Sequence, residues 1–241
     1  MSFIITLTLI WILFRCKITR LPRSIYFESY AIANIFPKDF VEWDKYQYVG
    51  TFSWKFHEKL SFKLKDIPRL MDYLHKNNID VVGFFYPEFR YNNLTMMQQA
   101  DLPHPKFSAV WKPLMESFGD RFTTEQIVGC CANEFYANYF VAKINMVQQL
   151  CNFTKEIHRR LDTIPAIQND LWSDSTYYSC GSDDTQLRSI FNRTYYTYHP
   201  FVLERITPFY FNSINASSKR AQNIAKLMRL RLRFRFSSRQ K

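Results

Sequence analysis

The stretch Cys130–Phe153, CCANEFYANYFVAKINMVQQLCNF, decides how the rest of the chain is read. Its first half is strand-forming, with Tyr139 to Ala142 as the strand proper, but it carries Asn133, Glu134 and Asn138, which an ordinary core strand would not hold. Its second half begins a helix from Ile144 to Leu161 that sets Ile144, Val147, Leu150, Cys151, Phe153 and Ile157 on one face. A strand that runs into an amphipathic helix, with polar groups at the strand end, points to an α/β fold with its site at strand ends.

Three aromatic blocks extend the pattern: YQYVGTFSWKFHEK from Tyr46, NIDVVGFFYPEF from Asn78 and YYTYHPFVLERITPFYF from Tyr195. Tyr48 to Phe52 reads as a strand, and Asp66 to Asn77 as a helix through Ile67, Leu70, Met71 and Leu74. Asp80 to Tyr86 is apolar on both faces, as strands of parallel sheets are. Pro87 to Lys112, with three prolines, reads as a loop-rich excursion, followed by a short helix at Leu114 to Phe118 and a strand at Ile127 to Cys131. A polar region spans Asp162 to Arg193, and a last strand and helix begin near Tyr195. The expected architecture is one α/β domain over residues 25–215, with a mixed, mostly parallel sheet, between an apolar segment at 1–24 and a basic tail at 216–241.

Composition narrows the function classes. The 241 residues hold only five glycines, and neither GxGxxG nor GxxxxGK[ST] occurs, which excludes the glycine-rich phosphate loops. The net charge of +11 sits at the ends: four basic residues and no acid from Met1 to Ser24, nine and none from Ile206 to Lys241. Between them 19 basic residues face 21 acidic ones, so the body is near neutral, and a nucleic-acid partner is not expected. In the tail, Leu230, Leu232, Phe234 and Phe236 alternate with Arg229, Arg231, Arg233 and Arg235, which suits an anionic membrane surface. Phe3 to Phe14 is an apolar run of twelve, read either as a short membrane anchor or as a first buried strand. As an anchor it would leave Arg15 to Arg23, and with them the body, on the cytosolic side. Five cysteines without CxxC spacing suggest neither zinc nor a disulfide framework. Four N-x-[ST] triplets begin at Asn93, Asn152, Asn192 and Asn215 and do not by themselves imply a secretory route.

The blocks YVGTFSWKF, DVVGFF followed by a proline-bearing turn, Pro103-His104-Pro105, NEFYANYFVAK, Asp174-Ser175 and YYTYHPFVLERI resemble glycosyltransferase-like proteins of bacterial surface-polysaccharide clusters and related viral genomes. The resemblance runs from about Tyr46 to Phe211. It implies a GT-A-like, Rossmann-like domain that moves a sugar from a nucleotide-sugar donor to a glycan or lipid-linked acceptor. Under that reading Asp174, Glu134 and His199 are the catalytic candidates, and Trp54, Lys55, Tyr86, Asn138, His104 and Arg205 bind substrate. Trp54 and Tyr86 suit stacking on base or sugar rings. Glu134 and Asn138 suit sugar hydroxyls, and Lys55, Arg90 or Arg205 the diphosphate oxygens.

Each assignment has a plainer counterpart. Asp174 suits a cap or turn, His199 suits packing beside Pro200, and Glu204-Arg205 suits an ion pair fixing its helix. GT-A enzymes commonly hold Mn²⁺ or Mg²⁺ with an Asp-x-Asp motif, which this chain lacks; Asp183-Asp184 is adjacent rather than spaced, so no metal ligands are assigned. A non-catalytic protein of the same fold, binding membrane or nucleic acid through its basic ends, is the alternative.

Overall fold

The structure, a computed structural model, describes residues 3–10, 13–20, 24–39, 47–53, 67–84, 93–129, 135, 138–177, 184–214 and 218–220. Among these, a six-stranded sheet is covered by helices. The strands are β1 (Phe3–Ile10), β2 (Leu13–Arg20), β3 (Tyr48–Ser53), β4 (Val81–Gly83), β5 (Phe140–Lys143) and β6 (Ser218–Arg220), in the order β2-β1-β3-β5-β4-β6.

The direction of the strands corrects the sequence-based expectation. β1 pairs antiparallel with β2 and β3, and β5 pairs antiparallel with both β3 and β4; only β4 and β6 run parallel. The fold is mixed helix and sheet, but the sheet is not mostly parallel. β4 is buried along its whole length, and burial of both faces calls for an apolar strand whichever way its neighbours run. The apolar run at the N-terminus is a strand in its first part, forming a hairpin with β2. Among the described residues no helix is long and apolar enough to cross a membrane.

The early helices are α1 (Phe27–Tyr30), a π-helical turn at Ala31–Ile35 and α2 (Phe36–Asp39). Helix α3 (Ile67–Lys76) ends where Asn78 takes a left-handed φ of 50° and the Ile79 amide donates to Leu74 O. The excursion after Pro87, expected to be loop, contains α4 (Met96–Asp101) and α5 (Phe107–Glu116). Of the strand expected at Ile127 to Cys131, Ile127 and Val128 belong instead to helix α6 (Thr124–Val128), and Cys130 and Cys131 lie outside the described residues. Both α4 and α6 start with a reciprocal capping box, Thr95 with Gln98 and Thr123 with Gln126. Helix α7 (Ile144–Thr163) buries Val147, Leu150, Cys151, Phe153 and Ile157 of its expected face, half-buries Ile144 and adds Leu161. The polar region adds α8 (Pro165–Leu171) and α9 (Asp184–Phe191).

The last long helix, α10 (His199–Ser213), forms without a preceding strand, since residues 195–198 are not paired in the sheet. It is buried on nearly every face, which its apolar-all-round sequence requires. Phe209 lies 4.9 Å from Phe122 and 5.2 Å from Trp111, and Tyr210 5.2 Å from Phe153. The indole N–H of Trp111, enclosed in this cluster, donates to Ile127 O at 2.8 Å. On the sheet side, a Cβ on Gly83 would fall 2.5 Å from the Phe135 ring, so only glycine fits there.

Candidate functional site

The antiparallel register brings the ends of β3 and β4 together with the start of β5: Thr51 and Gly83 both pair with Phe140. Asn138, two residues before Phe140, sits at this edge with φ 52°, a conformation asparagine tolerates better than most residues. Its backbone oxygen accepts from Thr51 Oγ1, and its Oδ1 accepts from Thr207 Oγ1 of α10 at 2.7 Å. Asn138 therefore joins sheet to buried helix.

Beside it lies a cleft of about 180 Å³. One wall is Tyr26, Phe27, Glu28 and Ser29 from the entry to α1; the other is Pro200, Phe201, Leu203 and Glu204 of α10, with Asn138 and Tyr139 at the strand edge. Four aromatic residues, two carboxylates, an amide and a hydroxyl thus share one small space. Among the described residues no lysine or arginine lines it. Ser29 Oγ donates to Tyr26 O at 2.5 Å and lies 2.9 Å from His158 Nε2. The His158 ring stacks on Tyr26 at 4.0 Å, and the Tyr26 hydroxyl donates to Asp162 at 2.5 Å. Burial above all, with that carboxylate, pushes the Tyr26 phenol well above its ordinary pKa, so it stays a neutral donor.

The residues singled out from sequence fall into four groups. Asn138 lines the cleft. His104, His199 and Arg205 surround the start of α10 but are buried, with 4%, 1% and 3% of their surface exposed. The His104 ring stacks on Phe201 at 3.6 Å, and its Nδ1 lies 3.3 Å from Ser175 O, which makes Nδ1 the protonated nitrogen. His199 Nδ1 is 2.9 Å from Thr197 Oγ1, with Trp172 edge-on at 4.6 Å. Arg205 donates to Phe201 O and to Gln99 Oε1, both at 3.0 Å, over the Phe107 ring. Its guanidinium is engaged inside the fold.

Burial dominates the electrostatics. It lowers the pKa of His104, His158 and His199 from 6.5 to about 4, so all three imidazoles are neutral at pH 7. For His199 this favours packing over proton transfer. Asp174 is exposed and accepts from the Thr176 amide at 2.8 Å, an Asx-turn. Next to it, Ser175 Oγ is buried without a hydrogen-bond partner among the described residues. Trp54, Lys55, Tyr86, Arg90, Glu134 and the alternating tail from Arg229 to Phe236 lie outside the described residues. Among the described residues no three His, Cys, Asp or Glu side chains gather as a metal site. The residues missed from sequence are Tyr26, Glu28, Ser29 and Glu204 as parts of one cleft, with His158 packed against Tyr26 and Ser29. Residues 26–29 lie more than a hundred positions from His158 and Glu204, and no local pattern joins them.

In comparisons with known proteins, no family model, no curated protein and no solved structure matches this chain.

Proposed function

We propose that this chain is a sugar transferase and that the cleft between α1 and α10 seats the transferred hexose. The lining carries the reading. Aromatic rings pack against the C–H faces of a pyranose, while carboxylate, amide and hydroxyl groups satisfy its hydroxyls, and Tyr26, Tyr139, Phe201, Glu28, Glu204 and Asn138 supply both kinds of surface. The GT-A-like part of the proposal is supported by the ends of β3 and β4 meeting at one edge and by the parallel β4–β6 pair. The basic ends would hold the protein to anionic lipid on the cytosolic side.

In the proposed reaction the acceptor hydroxyl oxygen bonds to the anomeric carbon. The bond from that carbon to the diphosphate oxygen breaks, and its electron pair leaves with the nucleotide. Glu204, in the second turn of α10, takes the acceptor's proton; Asn138 and Glu28 hold the sugar hydroxyls. Holding both partners in one orientation supplies the rest of the acceleration.

Thermal-shift screening of the full chain against UDP- and GDP-sugars, with and without Mn²⁺, tests the proposal. Stabilisation by a nucleotide sugar is expected. Glu204→Gln should retain that stabilisation while turnover falls by about 10²- to 10⁴-fold. The non-catalytic alternative, binding membrane or nucleic acid through the basic ends, draws support from a lining that holds no cation among the described residues. Stabilisation by nucleic acid alone would replace the transferase reading with it.

A further inference from the structure

A second depression adjoins the first. It is an open trough of about 480 Å³, lined by Gln168, Asn169, Trp172, Phe191, Asn192 and Arg193. The Phe191 ring lies 5.7 Å from Phe27, which borders the sugar cleft, so one aromatic pair stands between the two spaces.

The trough divides into a fixed floor and a polar rim. Gln168 belongs to the floor: its Nε2 donates to Leu161 O at 2.7 Å and Ile164 O at 3.1 Å, and its Oε1 accepts from Trp172 Nε1 at 3.2 Å. That last bond, with the edge contact to His199, fixes the orientation of the Trp172 ring. Asn169, Asn192 and Arg193 form the exposed rim. Asn192 closes α9 with φ 53°, and Arg193 Nη1 donates locally to Asn192 O at 2.9 Å.

A fixed indole face offers a platform for a sugar ring. Two exposed amides offer donors and acceptors for neighbouring hydroxyls, and the guanidinium matches a carboxylate in bidentate fashion. We infer that the trough is an acceptor subsite for a saccharide bearing a carboxylate, with Trp172 as its platform and Arg193 as its anion contact. The inference rests on the sugar-transfer reading: the acidic unit lies in the trough, and the hydroxyl to be glycosylated reaches past Phe27 and Phe191 towards Glu204. At more than twice the volume of the first cleft, the trough has room for more than one ring.

The test is saturation-transfer NMR and calorimetry on the full chain, using a glucuronic-acid-terminated disaccharide, its glucose-terminated counterpart, and UDP. The acidic disaccharide should bind more tightly than the neutral one. Arg193→Ala should remove that preference, about a tenfold loss for the acidic probe and little change for the neutral one. Trp172→Phe, chosen to keep the packing against His199, should weaken both. Equal binding of the two disaccharides, or an acidic preference that survives Arg193→Ala, overturns the inference. Loss of UDP binding in Trp172→Phe and Arg193→Ala assigns the trough to the nucleotide instead and equally overturns it. If nucleotide sugars still stabilise the chain while the acidic probe fails, only the subsite falls. If no nucleotide sugar stabilises it, the transferase reading falls, whatever the trough binds.

Discussion

Along the first turns of α10, Pro200, Phe201 and Glu204 border an open cleft, whereas His199 and Arg205, one residue beyond at either end, are sealed inside protein. The two sets sit on one helix and carry comparable chemical capacity. What separates them is the neighbour each face meets: α1 and the strand edge leave a gap, while Trp172, Gln99 and Phe107 close over the rest. An imidazole or guanidinium that is fully enclosed loses its reactivity to desolvation and to the hydrogen bonds that compensate for it. A histidine or arginine beside a motif therefore indicates a site only if its face stays open.

The comparison is most strongly tested by acid. The pKa values of His104, His158 and His199 are about 4 in the folded chain against 6.5 for the unfolded one. Between those values the unfolded state binds more protons, so stability is whole above pH 6.5 and is lost as pH falls towards 4. Each histidine should contribute about 1–3 kcal/mol to that loss. Urea denaturation at several pH values checks this, and a flat midpoint from pH 7 to pH 4 would show that these rings are not sealed.

Next in size is Phe209→Ala, which empties a space between Trp111, Phe122 and Phe153. It should cost about 3–5 kcal/mol, read from the same denaturation curves, with m unchanged. On the cleft side, Asn138→Ala removes the acceptor for buried Thr207 and places alanine at positive φ, at a cost of about 2 kcal/mol. Asn138→Gly relieves the backbone part, so it should be less harmful by about 1 kcal/mol while losing hexose binding equally. Smallest of all, Lys106→Ala breaks an exposed ion pair with Asp170 and should shift stability by less than about 0.5 kcal/mol.

The elements legible in the sequence were those that declare themselves locally. The α7 face, the α3 helix with its Asn77-Asn78 stop, and strands β3 and β5 follow from periodicity and turn residues alone. Helices α4 and α6 also carried a local signal, Thr-x-x-Gln at Thr95 and Thr123, which the prolines around α4 and the β-branched Ile127-Val128 outweighed. Strand direction was not local at all: β4 reads the same beside a parallel or an antiparallel neighbour, and only pairing with β5, more than fifty residues away, settles it. The cleft is less local still. Asn138 was recognisable as a polar interruption of a strand, but Ser29 meets His158 across 129 positions, and Glu204 read equally well as half of an ion pair. His104, His199 and Arg205 were conspicuous by type, and their enclosure follows from tertiary packing that no window of sequence contains.

Asn192 gives the trough one more property. Asn192-Arg193-Thr194 is an acceptor triplet for oligosaccharyltransferase, and its asparagine is exposed on the trough's rim at the end of α9. An oligosaccharide added there would stand over Trp172 and leave the neighbouring cleft uncovered. In a variant whose triplets at Asn93, Asn152 and Asn215 are removed, protein made in bacteria and protein passed through a eukaryotic secretory route would differ at that rim position, making the choice of expression host a site-directed perturbation.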